Sequence, residues 1–305
     1  MAALAGCKSS RKPVTVFAAA SLARALSDLE ERVEQDHPTL DVLMEISGSQ
    51  VACRKIAELN RRADVVATAD HGVIDDILVP GHAGWSLRFA TNAVVLAHMQ
   101  HSRETEKIAA DNWHEVLLGP KVRLGRVDPN LAPIGYRMLH VWQLAERHLG
   151  DKAPNLARRL EQKCPAEHVV PHEGELLKLL QTRAIDYAFL YRSTAEEHNL
   201  KTVELPEAYN LGAADRSQAY ARASVRVQMR SGQRGRSITG GAVIYGLTIP
   251  KNATNPAGAR VLVQALLADQ GRRCLARTGF APLRPPRSAQ RAALPAWLAR
   301  QVKAP

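Results

Sequence analysis

The N-terminal part of the chain alternates between two patterns of hydrophobic positions. Apolar residues dominate the short segments 14–17, 40–46 and 63–68, as in buried strands, and each segment is followed by apolar positions at helical spacing. The helices that this spacing predicts cover residues 21–36, 49–60 and 71–78. Regular repetition of strand and helix predicts an α/β protein with a doubly wound, mostly parallel sheet, because each crossover helix returns the chain to the same end of the sheet.

A second set of strands and helices follows in the middle of the chain. Residues 121–130 have the pattern of a strand and a turn, and the helix predicted at 132–150 has Pro133 in its first turn. A helix from about Glu173 and a strand at 185–190 complete this set. The chain therefore encodes two α/β units of similar construction.

Two strand-like segments connect these units. Residues 89–98 are predicted to carry the chain from the first unit to the second, and residues 241–250 to carry it back. Two α/β lobes joined by two crossing strands form a clamshell with its cleft at the hinge. The limits that we expect are a tether at 1–13, lobe one at 14–88 and 250–290, lobe two with the crossing strands at 89–249, and a C-terminal tail at 291–305.

The composition narrows the classes of function. The chain of 305 residues is 46% hydrophobic and 5% aromatic, and it has no apolar run of about 18 residues that would span a membrane. Its formal net charge is +11, but the basic residues are spread along the chain without a helix-turn-helix, zinc-finger or aromatic RNA-binding pattern. The Gly- and Ser-rich segment 226–241 is predicted to be an exposed basic loop between strands. We expect an arginine-rich solvated surface and no nucleic-acid partner.

Small and hydroxyl-bearing residues occupy the points where strands lead into helices. Ala18, Ala19 and Ala20 precede Ser21, and Gly48 precedes Ser49. In doubly wound sheets ligands bind at the carboxyl ends of the strands, where helices begin. Methyl side chains let an anion approach the backbone N–H groups of a helix start, and hydroxyls add directional donors.

These helix starts predict an oxyanion site in the cleft, with donors from both lobes. The expected donors lie at the helix starts of Ser21, Ser49, Gly135, Tyr136 and Tyr191. The alternative for the two serines is an ordinary N-cap that bonds only to its own helix. Asp70 lies near the same cleft and is a candidate to pair across it.

The chain resembles the molybdate/tungstate-binding proteins of ABC transporters, in particular the branch first described in archaea, over about residues 14–285. The segments that carry the resemblance are FAAASL, GSQVACRKIAEL, ADVVATAD, FATNAVVLA, NWHEVLLGPKVRLGRVDPN, PIGYR, IDYAFLYRS, VELPEAYNLG and VIYGLTIP. It implies a monomeric binding protein, not an enzyme, with no cofactor, that captures molybdate or tungstate for a membrane permease and its ATPase. The oxyanion contacts that it implies are Ala20, Ser21, Ser49, Gln50, Ile134, Gly135, Tyr136 and Tyr191.

Two positions depart from the pattern of that branch. The branch reads D-P-N-x-D-P-C-G-Y-R and F-E-Y, with carboxylates where this chain has Ala132 and Leu190. In the branch those two acids reach the metal and expand its coordination from four to six. Either this chain holds the anion as an undistorted tetrahedron by hydrogen bonds alone, or its ligand has changed. If six-coordination occurs, the substitute carboxylates to consider are Asp70, Asp128 and Glu173.

The N-terminus contains a possible lipid attachment site. LAGC at residues 4–7, followed by a polar segment, resembles the lipobox at which bacterial lipoproteins are cut and acylated, although no apolar segment precedes it in this sequence. We expect Cys7 to carry lipid and the protein to lie in the periplasm or at the cell surface.

Three classes of function remain open at this point. A transport binding protein is the first, for molybdate, tungstate or another oxyanion such as sulfate. The second is a sensor with the same clamshell, and the third is an enzyme on this fold, which requires an acid/base pair or a nucleophile facing the cleft.

Overall fold

The computed structural model describes residues 11–228 and 235–304. Cys7, the predicted lipid attachment site, lies outside the described residues. The β-strands are β1 Lys12–Ala19, β2 Leu40–Ser47, β3 Val65–Thr68, β4 Leu87–Asn92, β5 Val94–His98, β6 Leu124–Val127, β7 Val169–Val170, β8 Tyr187–Tyr191, β9 Lys201–Val203, β10 Ser224–Val227, β11 Arg236–Thr239, β12 Val243–Thr248 and β13 Ala281–Arg287. The α-helices are α1 Ala23–Asp36, α2 Ser49–Ala57, α3 His71–Ile77, α4 Trp113–Leu118, α5 Pro133–Leu149, α6 Leu156–Gln162, α7 Glu173–Gln181, α8 Arg192–Glu197, α9 Ser217–Tyr220, α10 Pro256–Leu267, α11 Asp269–Arg277 and α12 Ala296–Ala299.

Lobe one is built on a six-stranded sheet in the order β13-β4-β12-β3-β1-β2. Side chains of β1 alternate between its two faces. Val16 joins the large core cluster with Leu29 of α1, whereas Phe17 packs in a second cluster with Ile56 of α2 and Ile74 of α3. Because both faces of the strand are covered by helices, β1 is apolar at almost every position, as its sequence indicated.

Lobe two is built on a five-stranded sheet in the order β7-β6-β8-β5-β9. Its core centres on Phe189 of β8, whose ring contacts those of Trp113 and Trp142 edge-on at centroid distances of 5.5 and 5.6 Å. Trp142 lies on α5, so this contact holds the long helix against the sheet. The N-terminus of α5 is thereby directed at the cleft.

The predicted two-lobed α/β clamshell is confirmed, but both sheets are mixed rather than mostly parallel. Parallel pairing joins β1 to β2 and β3 in one sheet, and β6 to β7 and β8 in the other. In the first sheet β12, which ends the return crossing, lies between β3 and β4 and runs antiparallel to both, and in the second sheet β5, which ends the first crossing, runs antiparallel to β8. Hydrophobic patterns reveal which segments are strands but carry no information on strand direction.

The chain crosses between the lobes at Ala93, which separates β4 in the first sheet from β5 in the second. The returning strand β12 also pairs in the first sheet, against β3 and β4. Thus β4 and β12 pair in the sheet of lobe one and β5 pairs in that of lobe two, whereas the limits predicted from the sequence grouped both crossing segments with lobe two. Those limits, as domain boundaries, remain a prediction.

Two peripheral segments differ in part from their predictions. The basic segment 226–241, predicted to be an exposed loop between strands, overlaps with β10 and contains β11, which pair antiparallel, and its residues 229–234 lie outside the described residues. Val225 and Val227 of β10 pack against Tyr136 of α5. The C-terminal residues, expected to form a tail, contain α12, with Leu298 and Val302 buried in the main core. Within the described ranges every helix is too short or too polar to cross a bilayer.

Candidate functional site

A small cavity of about 20 Å³ lies between the lobes at the helix starts. It is lined by Ala19, Ala20, Ser21, Ser47, Gly48, Ser49, Ala69, Ala132, Pro133, Ile134, His172, Glu173 and Tyr191. A space of this size is just large enough for a small ion or a water molecule. Five of the eight oxyanion contacts expected from the sequence, Ala20, Ser21, Ser49, Ile134 and Tyr191, are brought together here.

The wall from lobe one consists of the ends of β1 and β2 and the backbone that follows them. Ser21 lies in a 3-10 turn after β1, and its Oγ is 2.8 Å from the hydroxyl oxygen of Tyr245. The Oγ of Ser49 accepts a hydrogen bond of 3.0 Å from the backbone N–H of Ala69. Because that oxygen accepts from Ala69, its own proton is free to be donated into the cavity.

Neither serine is the N-cap of its helix, so the alternative raised by the sequence is wrong. The N-cap position of α2 is Gly48, and that of the 3-10 turn is Ala19. Among the described residues, no side chain caps either start. The backbone N–H groups at these starts are left for another acceptor.

Lobe two contributes the starts of three helices. The N-cap residues are Ala132 for α5, His172 for α7 and Tyr191 for α8, and within the described part of the chain none of these starts receives a capping side-chain bond. Among the described α-helices, side-chain caps occur only at α3 and α10, where Asp70 and Asn255 accept from the N–H groups of Gly72 and Gly258. Helix starts around the cavity thus keep partial positive charge and free donors, which suits an anion.

Ser47 is a polar residue of the cavity that the sequence did not single out. It is the last residue of β2, and its Oγ is buried without a hydrogen-bond partner among the described residues. Buried hydroxyls are nearly always bonded, so an unpaired one that lines a cavity indicates a place for a polar ligand. The sequence did contain a signal for Ser47: it is a small polar residue at the end of a predicted strand, next to Gly48, which is the kind of position at which Ser21 was selected.

Glu173 is the one carboxylate that lines this cavity among the described residues. Its side chain is buried at the start of α7, where Oε1 accepts from the Tyr191 N–H at 3.4 Å and from the Thr194 hydroxyl at 3.1 Å. Burial and, to a smaller extent, the charge of Glu197 raise the pKa of Glu173 to about 7, although the hydrogen bonds from the Tyr191 N–H and the Thr194 hydroxyl act to lower it. The sequence identified Glu173 only as a possible substitute for the missing acids.

The two positions that carry acids in the resembled branch differ in their location. Ala132 lines the cavity as the N-cap of α5. Leu190 is fully buried in β8, opposite Val95 of β5, and does not line the cavity. Only the first of the two replacements therefore acts directly on what this cavity can hold.

Tyr136 and Gln50 line a neighbouring, larger cavity of about 410 Å³ instead. Tyr136 donates a hydrogen bond of 2.8 Å from its hydroxyl to Asp70 Oδ2, and the Arg137 guanidinium lies 3.0 Å from the same oxygen. Asp70 belongs to lobe one and the other two residues to α5 of lobe two, so this cluster joins the lobes, as the sequence suggested for Asp70. As contacts of an oxyanion, Tyr136 and Gln50 remain predictions.

The protonation states of Asp70 and Tyr136 stabilise the contacts of this interlobe cluster. Burial raises the pKa of Asp70, but Arg137, His71, the Tyr136 hydroxyl and the Gly72 N–H together outweigh it, so the net pKa is lowered and the carboxylate stays charged. Burial also raises the pKa of Tyr136, which therefore donates as a neutral phenol. Arg137 is 4% exposed and also reaches the Tyr191 hydroxyl at 3.4 Å.

Two glycines fix the close approach of the lobes and of α5. A Cβ on Gly48 would lie 2.9 Å from the carbonyl oxygen of Leu131 in lobe two, so only glycine allows this closed contact. Gly135 lines neither cavity; a Cβ there would lie 2.7 Å from the backbone of Asp128 and Pro129. Gly135 thus positions the start of α5 against the preceding turn.

Comparison with known proteins identifies the family. The model of the family described as "Bacterial extracellular solute-binding protein" matches residues 14–281. The chain belongs to this family. The family and the fold assign this solute-binding protein a binding rather than a catalytic role, and the family implies a location outside the cytoplasm, in the periplasm or at the cell surface.

Relatives and solved structures agree with this assignment. An uncharacterized solute-binding protein of Petrotoga mobilis is 38% identical over 275 residues, which are 90% of this chain and 84% of that protein. The molybdate/tungstate-binding protein WtpA of Pyrococcus abyssi is 32% identical over 281 residues, 84% of this chain and 80% of WtpA. The periplasmic molybdate-binding protein of Azotobacter vinelandii superimposes with a TM-score of 0.60 at 17% identity, covering 88% of this chain and 98% of that one, a likeness of fold.

Proposed function

We propose that this solute-binding protein captures molybdate or tungstate and delivers the anion to the permease and ATPase of an ABC importer, with no resident cofactor. The observation that carries the proposal is the small cavity, which is surrounded by uncapped helix starts of both lobes among the described residues. Such starts bind anions through backbone N–H groups. The 32% identity to WtpA of Pyrococcus abyssi supports the choice of anion.

The size and lining of the cavity support a small inorganic anion over an organic solute. Pockets for organic ligands are typically about 300 Å³ or more, whereas this one is about 20 Å³. The hydroxyls of Ser21, Ser47 and Ser49 supply neutral donors around it. Neutral donors suit a dianion, because they add no like-charge repulsion.

The bound anion is expected to keep four oxygens around the metal. Ala132 offers no lone pair to the metal and Leu190 does not line the cavity, so neither position adds a ligand. X-ray absorption on the complex tests this expectation. Two additional long metal–oxygen distances would contradict it, and Glu173, the one described carboxylate that lines this cavity, would be the first candidate for their source.

Calorimetric and thermal-unfolding titrations with molybdate, tungstate, sulfate and phosphate test the ligand. Molybdate or tungstate at about a thousand times its dissociation constant should add roughly 4 kcal/mol to the free energy of unfolding. If both leave the melting temperature unchanged while another anion raises it, the ligand proposed is wrong. Sulfate is the second candidate, because Ala132 replaces an acid that favours a metal over sulfur.

We also propose that lipid on Cys7 anchors the protein at the outer side of a membrane. Mass spectrometry of native protein extracted from membranes should find an acylated Cys7 as the first residue. An unmodified Cys7 in a chain that retains Met1 would contradict this.

A further inference from the structure

Glu173 lies where an ionised carboxylate would repel a bound dianion. It lines the same small cavity as Ser21 and Ser49, and only 5% of its surface is exposed. Water is therefore largely excluded from the space between this carboxyl group and a bound anion. In such surroundings, two like charges repel strongly.

The two carboxyl oxygens of Glu173 have different surroundings. Oε1 is engaged by the Tyr191 N–H and the Thr194 hydroxyl, both of which donate to it. Oε2 has no hydrogen-bond partner among residues 11–228 and 235–304. A proton on Glu173 therefore belongs on Oε2, where it is available to a ligand in the cavity.

The charged and titratable groups around Glu173 do not compensate its charge. His172 precedes it on the same helix start, Tyr191 faces it from β8 and Tyr245 from β12. From α8 the carboxylate of Glu197 acts on Glu173 and opposes its ionisation. The guanidinium of Arg137 reaches the Tyr191 hydroxyl and pairs with Asp70 instead.

We propose that Glu173 is a specificity-determining contact of the bound oxyanion, and that it contacts the anion as a neutral carboxylic acid that donates a hydrogen bond from Oε2. This inference rests on the proposed function. One proton moves from solvent to Glu173 when the anion binds to the ionised form, and it returns to solvent on release. A fully deprotonated anion can accept this hydrogen bond. An anion that carries a proton and needs a carboxylate to accept it finds no such acceptor in a neutral Glu173, and therefore binds less tightly.

The pKa of about 7 gives the expected pH dependence. Below that value Glu173 is already protonated and affinity is constant. Above it the protonated fraction falls tenfold per pH unit, so molybdate affinity should fall about tenfold between about pH 6 and about pH 8. Molybdate and sulfate remain dianions throughout this range, so the change belongs to the protein.

Calorimetric titration of the full chain with molybdate, at both pH values and in two buffers of different ionisation enthalpy, tests the inference. Wild type should show the tenfold loss and take up a proton at the higher pH. Glu173→Gln, whose amide donates at every pH, should bind equally at both and at least as tightly as wild type at the higher pH. Glu175→Gln is the matched control on the same helix, because Glu175 is paired with Lys178 at the surface, and it should retain the wild-type dependence.

A second variant keeps the test independent of the folding of Glu173→Gln. Glu197→Gln removes the charge that opposes ionisation of Glu173, so the fall in affinity should move to lower pH. Equal wild-type affinity at both pH values, without proton uptake, would overturn the inference while leaving the proposed function intact. Loss of binding in a folded Glu173→Gln would also overturn the inference, because it would mean that anion binding needs the ionised carboxylate and not a neutral hydrogen-bond donor. If only sulfate binds, the proposed ligand is wrong, and the same titrations with sulfate test the role of Glu173. If no anion binds, the proposed function and the inference about Glu173 are both wrong.

Discussion

The cleft contains two cavities that differ in how their polar groups are used. The larger one, about 410 Å³, is lined by Asp70 and Asp76, each of which is paired with an arginine, and by Tyr136, whose hydroxyl is bonded to Asp70. Its exception is Gln50, whose buried amide oxygen has no hydrogen-bond partner among the described residues. The smaller one, about 20 Å³, is lined by an unpaired Ser47 hydroxyl and by uncapped helix starts in the described chain. Paired groups gain little from a ligand, whereas unpaired buried donors gain a full hydrogen bond.

In the proposed function the anion occupies the smaller of the two cavities, although the larger one offers more space. The charges of the larger cavity hold the two lobes together, and the donors of the smaller one are left for a solute. This difference assigns stability of the closed form to one region and affinity to the other. Substitutions in the two regions should separate these properties.

The largest effect is expected from Asp70→Asn in the larger cavity. The substitution leaves Arg137, which is 4% exposed, without a charged partner, and loss of one partner of a buried pair costs about 3–5 kcal/mol of unfolding free energy. Because the pKa of Asp70 is lowered by its partners, its contribution is present above the ordinary value of 3.8 and is lost as the pH falls further. Denaturant unfolding of wild type and variant at neutral and acidic pH measures both the loss of unfolding free energy and its dependence on pH.

The matched control for this prediction is Asp76→Asn. Asp76 pairs with Arg236 at the surface, where 41% and 51% of the two side chains are exposed. An exposed pair is worth about 1 kcal/mol or less. Equal losses for both variants would show that the interlobe pair is not special.

Glu173→Gln should have a somewhat smaller effect on stability, and one that depends on pH. The raised pKa means that the folded state holds a proton between 4.5 and about 7 which the unfolded state has released. Wild-type stability relative to the variant should therefore fall as the pH rises through that window, by up to about 3 kcal/mol. Parallel stability curves for the two proteins would contradict a buried, uncompensated Glu173.

Gly48→Ala should mainly reduce affinity. A Cβ 2.9 Å from the Leu131 carbonyl oxygen forces the lobes apart, so donors from both lobes no longer meet around the anion. We expect molybdate affinity to fall about a hundredfold, equivalent to roughly 3 kcal/mol, in calorimetric titration. Gly81→Ala, where nothing lies within 4 Å of the added Cβ, should bind as wild type; a similar loss there would attribute the effect to backbone stiffness.

Ser47→Ala is the smallest and sharpest of these changes. Because the Ser47 hydroxyl has no partner among the described residues, its removal should leave the unfolding free energy unchanged or raise it slightly, while molybdate affinity falls about tenfold. Ser86→Ala removes a buried hydroxyl that is bonded to Asp75 and Gln290. It should lower stability and leave affinity unchanged, and the reverse pattern in either variant would undo the distinction between paired and unpaired groups.

The sequence predicted the two lobes, the position of the crossing and five of the cavity residues, because strand and helix patterns place helix starts at one end of a sheet. It did not predict that Tyr136 faces the neighbouring cavity, since the first turn of α5 presents several faces and only packing decides which one meets the cleft. Ser47 and Glu173 were undervalued for a related reason. Whether a polar side chain at a strand or helix end is already paired depends on residues distant in the chain, such as Thr194 for Glu173.

The contact between Gly48 and the Leu131 carbonyl also has a kinetic consequence. With walls from both lobes and so little free space, a bound anion leaves only after the lobes separate, and that step breaks the same Asp70–Arg137 pair whatever the cargo. Residence times of molybdate and tungstate should therefore converge on the rate of lobe opening. Discrimination between the two anions would then occur on entry, before the clamshell closes.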